Sequence, residues 1–155
     1  MERESRMVMK GHCQIWDAMD GTLLRDVHNI ITCGGCTFMT GYLSGGSPTA
    51  MSYMAVGSAT TSAAAVTADT DLEDEIDDGN RHACAIDMPA TTSVRFSASY
   101  AAGHHTGSWV EAGVANSITT DGGTLLCRAL FGLLTKAAGD AFILTYTISF
   151  ADDGV

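Results

Sequence analysis

GTLLCRALF, residues 123–131, and AFILTYTISF, residues 141–150, are the stretches on which the fold of this chain turns. In the second, Phe142, Leu144, Tyr146, Ile148 and Phe150 alternate with Ile143, Thr145, Thr147 and Ser149, the period of a strand with one strongly apolar face. In the first, Leu125, Cys127, Ala129 and Phe131 fall on one side and Thr124, Leu126, Arg128 and Leu130 on the other. Both sides are largely apolar, so this strand belongs in the middle of a sheet. With VEAGV just upstream, residues 110–150 read as three successive strands, punctuated at Asp121–Gly123 and Gly139–Asp140.

Upstream, strands are expected at about 11–17 and 22–29, flanking the tight turn Asp17 to Gly21. Cys36, Phe38, Met39, Tyr42 and Leu43 recur near helical spacing, which predicts one short helix near 34–43. SYMAVG reads as a short buried strand. A long loop of small and then acidic residues follows at 57–80, with at most a helical turn at 71–77. RHACAID and SVRFSASY add further strands, separated by Pro89. The expected fold is all-β: a single antiparallel β-sandwich, jelly-roll-like, of about eight strands. Residues 1–10 hold Arg3, Arg6 and Lys10 without an apolar period and read as an N-terminal arm before a single domain at 11–155.

A chain of 155 residues can build one substantial core without cross-links. Hydrophobic residues make up 46 % and charged residues 17 %, so Ser, Thr, Gly and Ala must cover much of the surface, as suits packing against other protein. A net charge of -10 repels phosphate, and no nucleic-acid partner is expected. No apolar run approaches the roughly 18 residues of a membrane span, and the charged start MERESRMVMK is unlike a secretory signal, so no membrane partner is expected either. The five cysteines are odd in number, and Cys13, Cys84 and Cys127 sit within predicted strands as small apolar thiols.

Several patterns resemble chemical sites and are read otherwise. Cys33-Gly-Gly-Cys36 has the spacing of a zinc or redox motif, but no second ligand pair accompanies it. His104-His105, in a glycine-rich loop, reads as exposed and polar. The run Asp69, Asp71, Glu73, Asp74, Glu75, Asp77, Asp78 fails as a calcium loop, since, counted from Asp69, Asp74 stands where glycine is needed and Asn80 where a bidentate glutamate belongs. It reads as a solvated face or a docking patch for a basic partner. Glu111 lies in an otherwise apolar strand and needs a countercharge, with Arg81 and Arg128 as candidate partners in a structural ion pair. No nucleophile elbow, phosphate loop or zinc-protease helix motif is present, so the chain is not expected to be an enzyme, and no metal or cofactor is implied. A calcium- or carbohydrate-binding module using residues 69–80 and 103–109 is the alternative from a different class.

Taken in order, DVHNIITCGG, YMAVGSATT, DTDLEDEI followed by Arg81, VEAGV, GGTLLCRALF and AFILTYTISF resemble a group of small structural proteins of tailed bacteriophages. The resemblance spans about residues 11–150 and lies in the order and spacing of segments. It implies a non-enzymatic virion component, a capsid decoration (cement) protein that stabilises the head, with a tail-, neck- or fibre-associated structural protein as the alternative. The partners so implied are the major capsid protein or other virion subunits, with a homotrimer as the assembly and the virion, assembled in the host cytoplasm, as the location. Arg3, Arg6, Lys10 and the acidic run would then be subunit contacts.

Overall fold

The computed structural model describes residues 7–59 and 64–152. The protein is all-β and antiparallel, with one short helix among the described residues. Its elements are β1 (Met7–Asp17), β2 (Leu23–Ile31), α1 (Cys33–Leu43), β3 (Tyr53–Gly57), β4 (His82–Ala83), β5 (Ala85–Ala90), β6 (Ser93–Tyr100), β7 (Gly107–Ala115), β8 (Leu125–Lys136) and β9 (Phe142–Asp152). They form one nine-stranded sheet in the order β4-β3-β7-β8-β2-β1-β9-β6-β5. β2 is the corner of this sheet. Its first part pairs with β1, while Ile30 and Ile31 pair with Arg128 and Cys127 of β8.

The sheet folds about β2 so that its two halves face each other. β8 is central, as its two apolar sides require, lying between β7 and β2. The edge strands β4 and β5 are separated in the chain by Cys84 alone, which makes the sheet nearly closed. RHACAID, expected as one strand, is therefore two, because the chain leaves one half of the sheet and joins the other at Cys84. Pro89 lies within edge strand β5, where the register against β6 shifts between Asp87 and Ala90, and an edge tolerates the missing donor.

The core fills the space between the halves. Ile15, Leu144, Tyr146, Trp109, Val114 and Cys127 are buried there, as alternation assigned for β9 and for Cys127, Ala129 and Phe131 of β8. At the irregular start of β8 the assignment reverses, with Leu126 in this core and Leu125 on the opposite face. Two tyrosines tie the halves together. Tyr100 on β6 donates to the Met54 carbonyl of β3 at 3.1 Å, and Tyr146 on β9 donates to the Ala112 carbonyl of β7 at 2.6 Å. Each brings an apolar ring into the core with its hydroxyl satisfied across the interface.

Local chemistry sets the connections. In the β1–β2 turn, Asp17 Oδ1 accepts from the Met19 amide at 2.7 Å and Gly21 takes φ +76°. Thr32 caps α1, its Oγ1 accepting from the Gly35 amide at 3.0 Å. Gly35 is buried against the β8 backbone, where an added Cβ would clash with the Leu126 carbonyl. All five cysteines are free thiols: Cys13 and Cys127 are buried, Cys84 is half-buried, and Cys33 and Cys36 are exposed at the start of α1.

Part of the segment expected as an arm is strand. Met7–Lys10 belong to β1, with Met7 opposite Asp152 and Lys10 opposite Ser149, because β9 is long enough to template them. Arg3 and Arg6 lie outside the described residues. No helical turn forms at 71–77. That segment runs beside β3 instead, with the Ser58 amide donating to the Asp74 carbonyl and the Ile76 amide to the Val56 carbonyl, both at 2.8 Å.

Candidate functional site

The outer face of the β3–β7–β8 half carries the chain's densest charge chemistry. Alternation puts Ala55 and Gly57 of β3, Glu111 and Gly113 of β7, and Arg128 of β8 away from the main core. The acidic loop folds over them. Leu72 is buried in a small second cluster with Ala55 and Leu125, which seats the loop on the sheet. Gly57 permits the close approach, since a Cβ there would stand 2.5 Å from Glu111 Oε1 and 2.8 Å from the Asp74 carbonyl.

Under this cover, Glu111 is fully buried. Its Oε2 accepts from Arg128 Nε at 2.7 Å, and its Oε1 accepts from the amides of Glu73 at 2.8 Å and Asp74 at 3.0 Å. Arg128 also donates through Nη1 to Asp69 Oδ2 at 2.9 Å, and its Nη2 stands 3.7 Å from Glu73 Oε2. Glu111 and Arg128 are thus the expected ion pair.

Arg81, the other candidate partner of Glu111, serves a different set. Its Nε and Nη2 donate to the two oxygens of Glu75 at 2.7 Å each, and Nη2 also donates to Asp71 Oδ1 at 2.9 Å. Nη1 donates to the Gly122 carbonyl at 2.7 Å, which joins the loop before β8 to the acidic loop. Burial opposes the charge on Arg81, but hydrogen bonding and attraction from Glu75 and Asp71 outweigh it and hold the guanidinium above its ordinary range. Asp71 is displaced the other way: burial raises its carboxyl, only partly offset by Arg81.

Much of the acidic run is engaged within its own chain, although Glu73, Asp74, Asp77 and Asp78 stay exposed. Asp71 and Glu75 turn inward to Arg81, and Glu73 lies toward Arg128. Asp74 accepts from the Ser58 hydroxyl. Asp77 accepts from the Gly79 amide at 2.9 Å and from Thr120 Oγ1 at 3.3 Å. Asp78 accepts from the His105 amide at 3.0 Å and meets His104 Nδ1 at 3.1 Å. The two arginines on or beside the second sheet face draw Asp71, Glu75 and Glu73 toward it, while Asp74, Asp77 and Asp78 stay exposed.

Asp71, Glu75 and Asp121 converge to within 4.8 Å, the spacing of a small cation site. Arg81 already supplies the positive charge to Asp71 and Glu75 there.

Of the adjacent histidines, His104 is exposed as expected, but His105 is only 4 % exposed, at φ +48°. Its carbonyl accepts from Trp109 Nε1 at 2.7 Å, and its ring meets His82 and Tyr100 edge-on at 4.9 and 5.2 Å. The turn into β7 carries one histidine outward and the next into the aromatic end of the core. Burial lowers the basicity of both His105 and His82, and their mutual repulsion lowers that of His105 further.

Asp69 and Glu75 escaped the sequence reading as ion partners. The signal available was the spacing of Asp69, Asp71, Glu73, Glu75 and Asp77 at every second residue, set against two strand-associated arginines lacking countercharges.

Comparison of the chain with family models, with curated proteins and with solved structures finds no match.

Proposed function

We propose that this protein is a non-enzymatic structural component of a tailed-phage virion, acting as a decoration protein that stabilises the head by binding across capsid subunits. The phage-like order of segments from DVHNIITCGG to AFILTYTISF carries the reading. The arrangement around Glu111 supports its non-catalytic part. Glu111, the carboxylate set in an apolar strand, is fully buried and accepts three hydrogen bonds from its own chain, leaving no access for a substrate. A sandwich with a salt-bridged cover suits a part that must hold its shape while neighbouring subunits load it. The partners on this reading are the major capsid protein and further copies of the chain, with a homotrimer as the assembly.

The test is addition of the purified protein to empty expanded capsids. Saturable binding at micromolar concentration and a raised capsid melting temperature are expected. Absence of binding to heads, together with immunogold labelling confined to the tail, would replace this reading with that of a tail or neck component.

A further inference from the structure

The inner faces of β1, β9 and β6 continue past the close-packed core, and α1 stands across the opening. Between them lies a half-open cavity of about 300 Å³. Met9, Met39 and Met51 and the rings of Phe38, Tyr42 and Phe150 form much of its wall. None of the lining side chains is charged, and Tyr42 alone carries an oxygen.

The cavity is held open by the way α1 is seated. The first turn of the helix rests on the β8 backbone through Gly35 and is capped by Thr32. That fixes the height at which Phe38, Met39 and Tyr42 project farther along, with Phe38 and Tyr42 packed edge-to-face at 5.1 Å.

The occupant follows from size and polarity. An apolar void of roughly 150 Å³ stays dry and takes up benzene, and small-molecule pockets begin near about 300 Å³. Water needs two or more polar partners, which these side chains do not supply. The segment MERESR ahead of β1 has four charged residues in six and is chemically unsuited to the space. Methionines let the wall adapt to an imperfect fit.

We propose that this cavity is a binding site for a small uncharged aromatic or short alkyl molecule, held by apolar contact. The half-exposed Tyr42 hydroxyl is its hydrogen-bonding group.

Indole is a suitable neutral probe, followed through methyl-labelled methionine in the full chain by NMR. The methyl signals of Met9, Met39 and Met51 should move saturably at millimolar indole, while exposed Met19 and core Met54 hold still. Octanoate, which brings a charge and finds no cation in the wall, should bind at least tenfold more weakly. Val94→Phe, which fills the cavity from β6, should abolish the shifts, and Ile86→Phe from β5 does the same should the first variant fold poorly. Unmoved cavity methyls would overturn the proposal, as would equal movement of Met19, or shifts that depend on protein concentration alone and so report a second copy in the cavity.

Discussion

Glu111 and Arg128 meet at 2.7 Å on the outer face of two central strands, beneath a loop whose backbone amides complete the carboxylate's coordination. Seventeen residues separate them in the chain. Breaking a buried pair by removing one partner typically costs about 3–5 kcal/mol, because the other charge is left without compensation. Glu111→Gln should lower unfolding free energy by about 3 kcal/mol in urea titration. Glu111→Leu combined with Arg128→Met should recover part of that loss. A double variant as unstable as the sum of the singles would show that the two side chains do not act as a pair.

Arg81 joins Glu75, Asp71 and the Gly122 carbonyl, so it fastens the acidic loop to the loop before β8. Arg81→Lys keeps the charge but loses the two-pronged geometry. Hydrogen bonds to charged groups contribute about 1.5–3 kcal/mol, and the variant should lose at least about 1.5. Amide exchange should accelerate at Ile76 and Ser58, which pair across the loop, while the β1–β9 ladder stays protected.

Stability should fall with acid before the carboxylates titrate. His82 and His105 are held below the ordinary 6.5, chiefly by burial, so the folded state binds fewer protons than the unfolded chain. Their contribution is complete above pH 6.5 and is lost as pH falls from there through the folded-state values. Asp78, lowered by its bonds to His105 and His104, contributes in the same direction only below its ordinary 3.8. Urea midpoints measured from pH 8 to pH 5 should decline, and His105→Asn, which tolerates φ +48°, should flatten the decline.

Gly35→Ala tests the seat of α1. Alanine favours helix by about 0.5–1 kcal/mol over glycine. Here a Cβ meets the backbone carbonyl of Leu126, which cannot swing aside, and overpacking costs about 1–3 kcal/mol. The clash should win, giving a net loss of stability by thermal melting. A stabilised variant would mean that the helix can lift off β8.

The legible part of this fold was the part set by neighbours in the chain. Alternation in residues 141–150 named the buried face of β9, and apolar residues on both sides of residues 123–131 placed β8 in the middle. The acidic loop is solvated as expected at Asp74, Asp77 and Asp78, but the inward turn of Asp71 and Glu75 is not legible until the surface beneath them is known. His105 was misread for the same reason, since adjacent histidines in a glycine-rich loop carry no local mark of which one turns inward.

The sequence by itself determined the all-β class, the strands of the core, the helix after Thr32 and the need of Glu111 for a cation, because each follows from side-chain period or from the cost of burying charge. Only the tertiary structure decided which cation. Arg128 reaches Glu111 because β7 and β8 are paired, with Gly113 opposite Arg128, while Arg81 is drawn to Glu75 and Asp71. Ion pairing depends on distance in space, and the loop's path over the sheet sets that distance.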